Sequence, residues 1–255
     1  MDINLNADLG ESFGAWRMGN DAALLAIVGS ANVACGFHAG DPLVMTETVR
    51  LAQAAGVSLG AHPAFPDLQG FGRRVMQLSS RELFAVVVYQ VGALMGIAQA
   101  QGQRISHVKP HGAMNNMACE DAAMAATIAA AVKAVDAQLI LLAPALSQLA
   151  AAGRAAGLRV ADEVFADRAY SDDGNLLPRS VAGAVIDNSQ ACLAHVLRML
   201  ARGGIVTASG GLLSCSFHSI CVHGDNPHAV ATASVVRDGL LAAGHRLRTL
   251  PQLLG

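Results

Sequence analysis

The sequence predicts an α/β fold, a TIM-like barrel of parallel strands that is closed or nearly closed. Strand-like and helix-like segments alternate along the whole chain, which implies parallel strands joined by right-handed crossovers. At 255 residues the chain suits about seven such units in a single domain, residues 1–255. Several strand-like segments also end in ionisable residues, which is the arrangement of an active site at the mouth of a parallel barrel.

The first half of the chain contains short apolar strands separated by helices. The predicted strands are Ile3–Ala7, Asn32–Cys35, Val57–Ala61 and His107–Lys109, and a short helix is predicted at Asp21–Val28. The next helix begins after Asp41 as N-cap, with a proline in its first position, and stops at Gly56. Ser79 and Glu82 form a capping box for a third helix, whose apolar residues recur at helical spacing until Gly102.

The second half continues the alternation. The predicted helices are Glu120–Val135, Ser147–Ala156, Asp187–Arg202 and Pro227–Ala243, and the strands between them are Leu139–Leu142, Leu158–Glu163 and Ile220–Val222. The first of these helices is rich in alanine, the strongest helix former. The irregular segments Pro63–Gln77 and Phe165–Ser180 follow strands, so we expect them to fold over the mouth of the barrel. Gly203–Ser219 leaves room for a short extra strand.

The composition argues against several classes of function. Apolar residues make up 53% of the chain and charged residues 14%, which favours burial of surface against a partner or a second copy and leaves a homo-oligomer open. A net charge of −2 gives no electrostatic basis for binding nucleic acid or an anionic membrane. We expect no signal peptide and no apolar run long enough to span a bilayer. The five scattered cysteines, without a Cys-x-x-Cys pair, fit a reducing cytoplasm.

The strongest local signal is a strand that carries three basic side chains. His107, Lys109 and His111 occupy alternate positions, so they point to the same face. Basic groups on an apolar strand are costly to bury unless they are paired. Lys109 is predicted to polarise a carbonyl or hold a carboxylate, and His111 to act as a general acid or base. A structural hydrogen-bond network is the alternative, and His107 is expected to be partly structural.

Polar groups at the ends of the first three strands predict catalytic and metal-binding chemistry. Asp8 and Glu11 are candidate catalytic carboxylates, and Asn6, on the same face as Asp8, is a candidate substrate contact. Asp8, His38 and His62 form the kind of set that binds Zn, Mn or Fe in barrels. A polar barrel floor with structural histidines is the alternative, because spacing cannot test ligands that come from separate strands.

A glycine-rich loop after the second strand predicts an anion site. Backbone amides near Gly40, together with His38, are expected to hold a substrate carboxylate at the start of the following helix, which Asp41 caps. No Gly-Lys-Ser/Thr sequence occurs, so any nucleotide site is not a Walker loop. Arg73 and Arg168 are candidate clamps for an anionic substrate. The alternative for Arg73 is a solvated arginine, and the alternative for Arg168 is an ion-pair partner of Glu163 and Asp167.

The last two strands also end in acid–base groups. Glu163 and Asp167 share a face if the chain there is extended, and Asp167 is a candidate catalytic group. His223 follows the last strand as a candidate catalytic acid or base, and Asp225 as a candidate substrate contact. The residues just before Pro227 equally fit a cap for the final helix.

Six motifs in series resemble one known family. They are Asn6–Glu11 (NADLGE), Ala34–Asp41 (ACGFHAGD), Gly60–Pro63 (GAHP), His107–Ala113 (HVKPHGA), Glu163–Arg168 (EVFADR) and Val222–Asp225 (VHGD). On these motifs the chain is similar to the LamB/YcsF family from residue 3 to about residue 245, in order and nearly without gaps. One departure is visible, since that family usually follows Pro-His-Gly-Ala with Leu-Tyr-Asn and this chain has Met114, Asn115 and Asn116.

The resemblance implies a (β/α)7 barrel related to glycoside hydrolase and deacetylase barrels. It also implies the A subunit of an ATP-dependent 5-oxoprolinase, which hydrolyses the lactam of 5-oxo-L-proline (pyroglutamate) to L-glutamate with ATP and Mg²⁺ as co-substrate, alongside the B and C subunits. Phosphorylation of the amide oxygen would make the carbon electrophilic, with water activated by Asp8 or His111 and charge held by Lys109 and Arg168.

Two other interpretations of the same residues stay open. One is metal-dependent, deacetylase-like hydrolysis of carbohydrate or amide substrates, with Asp8, His38 and His62 as ligands and His223 or Asp225 as acid or base. The other is a non-catalytic regulatory or carbohydrate-binding barrel.

Overall fold

A closed barrel of parallel strands forms the centre of the molecule. The computed structural model describes residues 1–224 and 228–255. In these ranges the strands are β1 (Asp2–Leu9), β2 (Ser30–Ala34), β3 (Ser58–His62), β4 (Ile105–Val108), β5 (Ile140–Pro144), β6 (Arg159–Phe165), β7 (Gly204–Val206), β8 (Leu212–Ser214), β9 (Ser219–Val222) and β10 (Arg246–Leu247). Strands β1 to β6 pair in order, and β9 pairs with both β6 and β1 to close a seven-stranded barrel over the described residues. The predicted (β/α)7 barrel is confirmed.

Helices surround this barrel. They are α1 (Asp21–Leu25), α2 (Pro42–Ala55), α3 (Ser80–Ala100), α4 (Gly112–Glu120), α5 (Ala122–Val135), α6 (Gln148–Ala155), α7 (Ser189–Arg202), α8 (Ala229–Ala242) and α9 (Leu250–Leu254). The predicted caps are confirmed: the Asp41 carboxylate accepts from two backbone amides of α2, and Gly56 ends that helix with φ 68°. Ser79 and Glu82 form the capping box of α3. The predicted start of the final helix at Pro227 lies outside the described residues.

Two elements differ from the prediction. The sequence gives no start signal for α4, because the helix begins at Gly112 with φ 57° and has no capping side chain. Asp121 ends α4 and caps α5, so the predicted helix Glu120–Val135 corresponds to α5 alone and α4 was not predicted. The segment 203–219 contains the antiparallel hairpin of β7 and β8 rather than a single extra strand.

Alternation along β1 separates two environments. Ile3, Leu5 and Leu9 point outward and belong to the apolar core between the barrel and its helices. The alternating residues Asn4, Asn6 and Asp8 point inward, where the asparagines bond to polar groups on neighbouring strands. The barrel interior is therefore a hydrogen-bonded polar layer, which lets it support ionised groups near its mouth.

Helix α3 is unusually apolar for a surface helix. Among the described residues it alone is long and apolar enough to cross a membrane by length and composition, with a mean hydropathy of 1.8 in its most apolar window. The expectation that no apolar run reaches such a length is therefore wrong on that criterion. The helix packs Leu83, Val87 and Leu94 into the core around the barrel, as the other barrel helices do.

Candidate active site

A cavity of about 480 Å³ opens at the carboxyl ends of the strands. Lys109 and His111 line its floor after β4, and His223 lines it after β9. The segments 63–77 and 165–180 contribute Arg73, Arg168 and several neighbours to its wall. The predicted folding of these two segments over the mouth is confirmed.

Lys109 lies inside the barrel with its ammonium group surrounded by acceptors. Its side chain is 3% exposed, and Nζ donates to Asp8 Oδ1 at 3.0 Å. Nζ also lies 3.2 Å from Glu163 Oε1 and 3.0 Å from the thiol sulfur of Cys221. These three acceptors lie within 3.2 Å of the ammonium group and the thiol is the weakest of them, while Asn6 Oδ1 lies farther away at 3.5 Å.

The balance of charge in this group follows from burial and pairing. Burial opposes ionisation of Lys109, yet Asp8, Cys221 and Glu163 together raise its pKa well above the usual value. Burial also opposes ionisation of Asp8, but His62 and Lys109 hold the pKa of Asp8 well below its usual range. Burial raises the pKa of Glu163 despite the nearby ammonium. The floor of the cavity therefore holds a fixed Lys109–Asp8 ion pair with Glu163 as the more readily protonated acid.

Glu11, His38, His62 and His111 form a second buried cluster beside this ion pair. One ligand atom from each lies within 4.8 Å of the others. Glu11 Oε1 is 3.7 Å from His38 Nε2 and 3.9 Å from His111 Nδ1. The rings of His38 and His111 stack with centroids 3.9 Å apart. Three imidazoles and a carboxylate are a donor set that Zn, Mn and Fe accept.

Backbone carbonyls fix the tautomers of two of these histidines. His62 Nδ1 donates to the Lys109 carbonyl at 2.6 Å, and His111 Nε2 donates to the Phe71 carbonyl at 2.8 Å. In their neutral forms, His62 Nε2 and His111 Nδ1 then both carry lone pairs, although these atoms lie only 3.0 Å apart. A shared proton or a bound cation relieves such a contact. Phe71 has a positive φ of 55°, so the turn that presents its carbonyl is strained.

His38 completes the case for a cation. Its side chain is buried, and neither ring nitrogen has a hydrogen-bond partner within the described part of the chain. Burial, and then the nearby His62, hold the pKa of His38 well below its usual value, so the ring is neutral. Gly72, at φ 65°, leaves no room for a Cβ, which would lie 2.9 Å from both His38 and His111. The residues present fit a divalent metal ion.

His223 and Asp167 form an acid–base pair at the cavity wall. His223 Nδ1 lies 2.9 Å from both oxygens of Asp167, and its ring stacks on Phe165. Burial raises the pKa of Asp167, but His223 and then the arginines Arg179 and Arg168 hold it below its usual range. The ionised carboxylate accepts the Nδ1 proton, which leaves His223 Nε2 for proton transfer.

Three guanidinium groups line the same cavity. Arg168 donates to the backbone carbonyls of Ala184 and Leu177, so it also ties down the loop after β6. Burial and the neighbouring Arg179 lower the pKa of Arg168 to about 10. Arg73 lies over the Phe71 ring with its central carbon 5.0 Å from the ring centroid. The mouth of the cavity is therefore suited to an anionic ligand.

Most of the predicted catalytic residues are close together, but their pairing differs from the expectation. Asp8, Lys109, His111 and His223 line the cavity, and Glu11 and Asp167 contact residues that line it. Of the three predicted metal ligands, His38 and His62 belong to one possible ligand group with Glu11 and His111, whereas Asp8 falls in a second group with Cys221 and His223. Asp8 is bonded to Lys109 and Asn32, with Oδ2 3.4 Å from His62 Nε2.

Three of the predicted substrate contacts, Asn6, Gly40 and His38, do not line the cavity. Asn6 is fully buried, and its amide nitrogen donates to Glu163 and Ser219, so it supports the floor from below. The Gly40 amide donates to the Ser12 carbonyl, so it offers no free donor to a carboxylate. His38, predicted to contact substrate, lies behind the cavity in the metal-binding cluster. Asp225 lies outside the described residues.

Three residues of the site were not predicted. Cys221 contacts the Lys109 ammonium, and Asn32 bonds to Asp8. Alternation along β2 signals Asn32, because Ala31 and Val33 point into the outer core. Tyr170 lines the cavity, and its hydroxyl accepts a hydrogen bond from the Phe165 amide. The sequence gives no signal for Tyr170, because its position depends on the loop conformation.

Comparison with known proteins identifies the family. The chain matches the family model described as "LamB/YcsF family" over residues 3–255. The chain belongs to the LamB/YcsF family. The 5-oxoprolinase A subunit of Azoarcus sp. (strain BH72) is 63% identical over 253 residues, which is 99% of each chain. That of Methylococcus capsulatus (strain Bath) is 56% identical, over 95% of this chain and 93% of its own.

Solved structures agree with this assignment. The lactam utilization protein from Thermus thermophilus is 45% identical, has a TM-score of 0.92, and is matched over 98% of this chain and 100% of its own. The T48 deacetylase, solved with its substrate, has a TM-score of 0.50 at 13% identity, over 98% of this chain and 90% of its own. That second likeness shows a shared fold alone, as expected of a barrel related to deacetylases.

Proposed function

We propose that this chain is the lactam-hydrolysing subunit of a 5-oxoprolinase, which opens the ring of 5-oxo-L-proline to give L-glutamate. The names of the full-length relatives support this proposal. The observation that carries it is the convergence on one cavity of the Lys109 ammonium, the Asp167–His223 pair and three arginines. A lactam that bears a carboxylate needs these groups: cations for its anion, a donor for its carbonyl, and an acid for its nitrogen.

The charged groups define a binding orientation. The arginines at the mouth receive the substrate carboxylate, since Arg73, Arg168 and Arg179 line that wall. The lactam carbonyl then faces Lys109 at the floor. One N–H of the Lys109 ammonium donates to the Cys221 thiol, which is a weak acceptor, so this N–H can donate to the substrate oxygen instead. The other two N–H groups keep their contacts with Asp8 and Glu163. The ammonium thereby stabilises negative charge that develops on that oxygen.

Ring opening requires a base for water and an acid for the leaving nitrogen. Asp8 is ionised, and Oδ2 is the oxygen that does not bond to Lys109, so it can take a proton from the attacking water. The ring nitrogen must gain a proton as its bond to the carbonyl carbon breaks. His223 Nε2 supplies it, because Asp167 holds Nδ1 and stabilises the charged imidazole.

Coupling to ATP belongs to the same proposal. A five-membered lactam is a poor electrophile, and transfer of a phosphoryl group from ATP to its oxygen, with release of ADP, would activate the carbon. Attack by water and cleavage of the C–N bond would then give an acyl phosphate, and a second water would release phosphate and glutamate. Because the chain has no Gly-Lys-Ser/Thr loop, we assign ATP, with Mg²⁺, to the partner B and C subunits. In the same orientation the arginines would hold the carboxylate of the phosphorylated lactam, and the Lys109 ammonium would face its phosphoryl oxygens.

We further propose that Glu11, His38, His62 and His111 hold a divalent metal ion. When bound, the metal would polarise a substrate oxygen or lower the pKa of water. The protein's own contribution is the fixed orientation of His62 and His111 by backbone carbonyls, which presents their lone pairs to one point.

Reconstitution tests the function. The chain is mixed with 5-oxoproline, ATP and Mg²⁺, with and without the B and C subunits, and glutamate is measured. We expect glutamate only when the three kinds of subunit are combined. Full turnover by the isolated chain would contradict the division of labour, and no glutamate from a folded, complete mixture would contradict the function.

A metal-dependent deacetylase-like activity is not favoured. Its support is the metal-binding cluster and a fold likeness at 13% identity, whereas relatives matched over 93–99% of their own length are named 5-oxoprolinase subunits. Deacetylation of an acetylated sugar by the isolated chain, without ATP, would support the deacetylase-like activity. A cytoplasmic location stays a prediction.

A further inference from the structure

Asn115 lies in the first turn of α4, one helical turn after His111. Its backbone amide donates to the His111 carbonyl at 3.3 Å, which places the residue directly above the end of β4. The residue is only 5% exposed, and it lines the cavity together with Lys109 and His111. None of the steps described above uses it.

The carboxamide of Asn115 is satisfied on one side only. Its Nδ2 donates to Asn116 Oδ1 at 3.4 Å, which sets the orientation of the amide. Its Oδ1 is buried and accepts no hydrogen bond from residues 1–224 or 228–255. A buried carbonyl oxygen without a donor is destabilising and uncommon in folded proteins. At the wall of a cavity, such an atom fits a ligand that brings a donor of its own.

We propose that Asn115 Oδ1 accepts the ring N–H of the lactam and thereby selects lactams over other five-membered rings. This inference rests on the proposed function. A lactam is a cis amide, so its N–H and C=O lie side by side on one edge of the ring. The acceptor for the N–H must therefore adjoin the donor for the C=O, and Asn115 and Lys109 line one cavity. Rings that lack the N–H leave Oδ1 unpaired, which is how polar sites reject an isostere.

The experiment compares two rings of the same shape. The full chain is titrated by calorimetry with 5-oxoproline and with 3-oxocyclopentane-1-carboxylate, in which a methylene replaces the N–H. We expect the wild type to bind the lactam about tenfold more tightly. Asn115→Leu should bind both rings within about twofold of each other, since the acceptor that favours the lactam N–H is gone. Asn115→Asp keeps an acceptor and should keep the preference.

A surface carboxamide provides the matched control. Gln99 is exposed on α3, so Gln99→Leu should keep the wild-type preference. Circular dichroism checks each variant, and Asn115→Ala makes the same test if Asn115→Leu does not fold. In the reconstituted enzyme, Asn115→Leu should raise the KM for 5-oxoproline, because the substrate that first binds carries the lactam N–H.

The outcomes separate the two proposals. Equal binding of both rings by the wild type, or a preference retained in Asn115→Leu, overturns the role of Asn115 and leaves lactam hydrolysis intact. Failure of the wild type to bind either ring overturns the role of Asn115 and the placement of the lactam in this cavity. Glutamate formation in the reconstituted mixture then reports separately on the function.

Discussion

Replacement of Lys109 by methionine tests whether the cavity floor is held together by charge. Methionine keeps an unbranched stem of similar length but removes the ammonium. Asp8 and Glu163, which are 4% and 1% exposed, would then face each other without a cation. Removal of one partner from a buried ion pair costs about 3–5 kcal/mol, so we expect the free energy of unfolding to fall by about that amount.

A second substitution separates charge from packing. In Lys109→Met with Glu163→Gln, one of the two carboxylates is already neutral, so the loss should be smaller than the sum of the single losses. Groups that share a buried network show coupling of about 0.5–3 kcal/mol, and we expect the upper half of that range. In the double variant Asn6 can still donate to the carboxamide oxygen that replaces the Glu163 carboxylate, and Asn32 can still donate to Asp8.

The assay is guanidinium unfolding at pH 7, followed by circular dichroism. The chain's other lysine is a matched control: Lys133 is exposed on α5 and donates to the Ala156 carbonyl, so Lys133→Met should lower the free energy of unfolding by no more than about 1 kcal/mol. A loss below about 1 kcal/mol in Lys109→Met, or simple additivity with Glu163→Gln, would refute the ionic floor.

Two further predictions concern histidines. Burial lowers the pKa of His107 to about 3, so the ring is neutral in the folded protein, whereas the unfolded chain binds a proton there near pH 6.5. The free energy of unfolding therefore falls as the pH drops. Denaturant titrations should show that His107→Gln removes about 2 kcal/mol of the fall in unfolding free energy between pH 7 and pH 5. Equal losses in both proteins would contradict the buried neutral ring. The chain dialysed against Zn²⁺ should retain close to one metal ion per chain by elemental analysis, and His38→Ala should weaken binding at least about tenfold, unlike the exposed-site variant His228→Ala. Undiminished metal content in His38→Ala would exclude the proposed ligand set.

Local sequence signals predicted much of the fold because they act over a few residues. The starts of α2 and α3 were predicted from their capping residues, Asp41 for α2 and Ser79 with Glu82 for α3, and the structure contains both caps. Alternation along β1 correctly placed Asn6 and Asp8 inside the barrel. Helix α4 was missed because Gly112 begins it without a capping side chain.

The partners within the site could not be predicted from sequence. Asp167 and His223 are 56 residues apart, and their contact depends on how two loops pack. Asp8 was assigned to a metal because its nearest cation, Lys109, comes from a strand 101 residues away. The amides near Gly40 were assigned to a carboxylate because a sequence does not reveal that the Ser12 carbonyl already accepts one of them. The residues at the strand ends therefore predict which side chains lie in the site, whereas the contacts between them depend on the conformation of the loops.

The most direct test of lactam hydrolysis in this cavity is glutamate formation by the reconstituted enzyme with His223→Gln. The variant keeps a polar side chain beside Asp167 but cannot protonate the leaving nitrogen. We expect kcat to fall by about 100- to 10,000-fold, with His228→Gln unaffected. Turnover by His223→Gln within about threefold of the wild type would contradict the account.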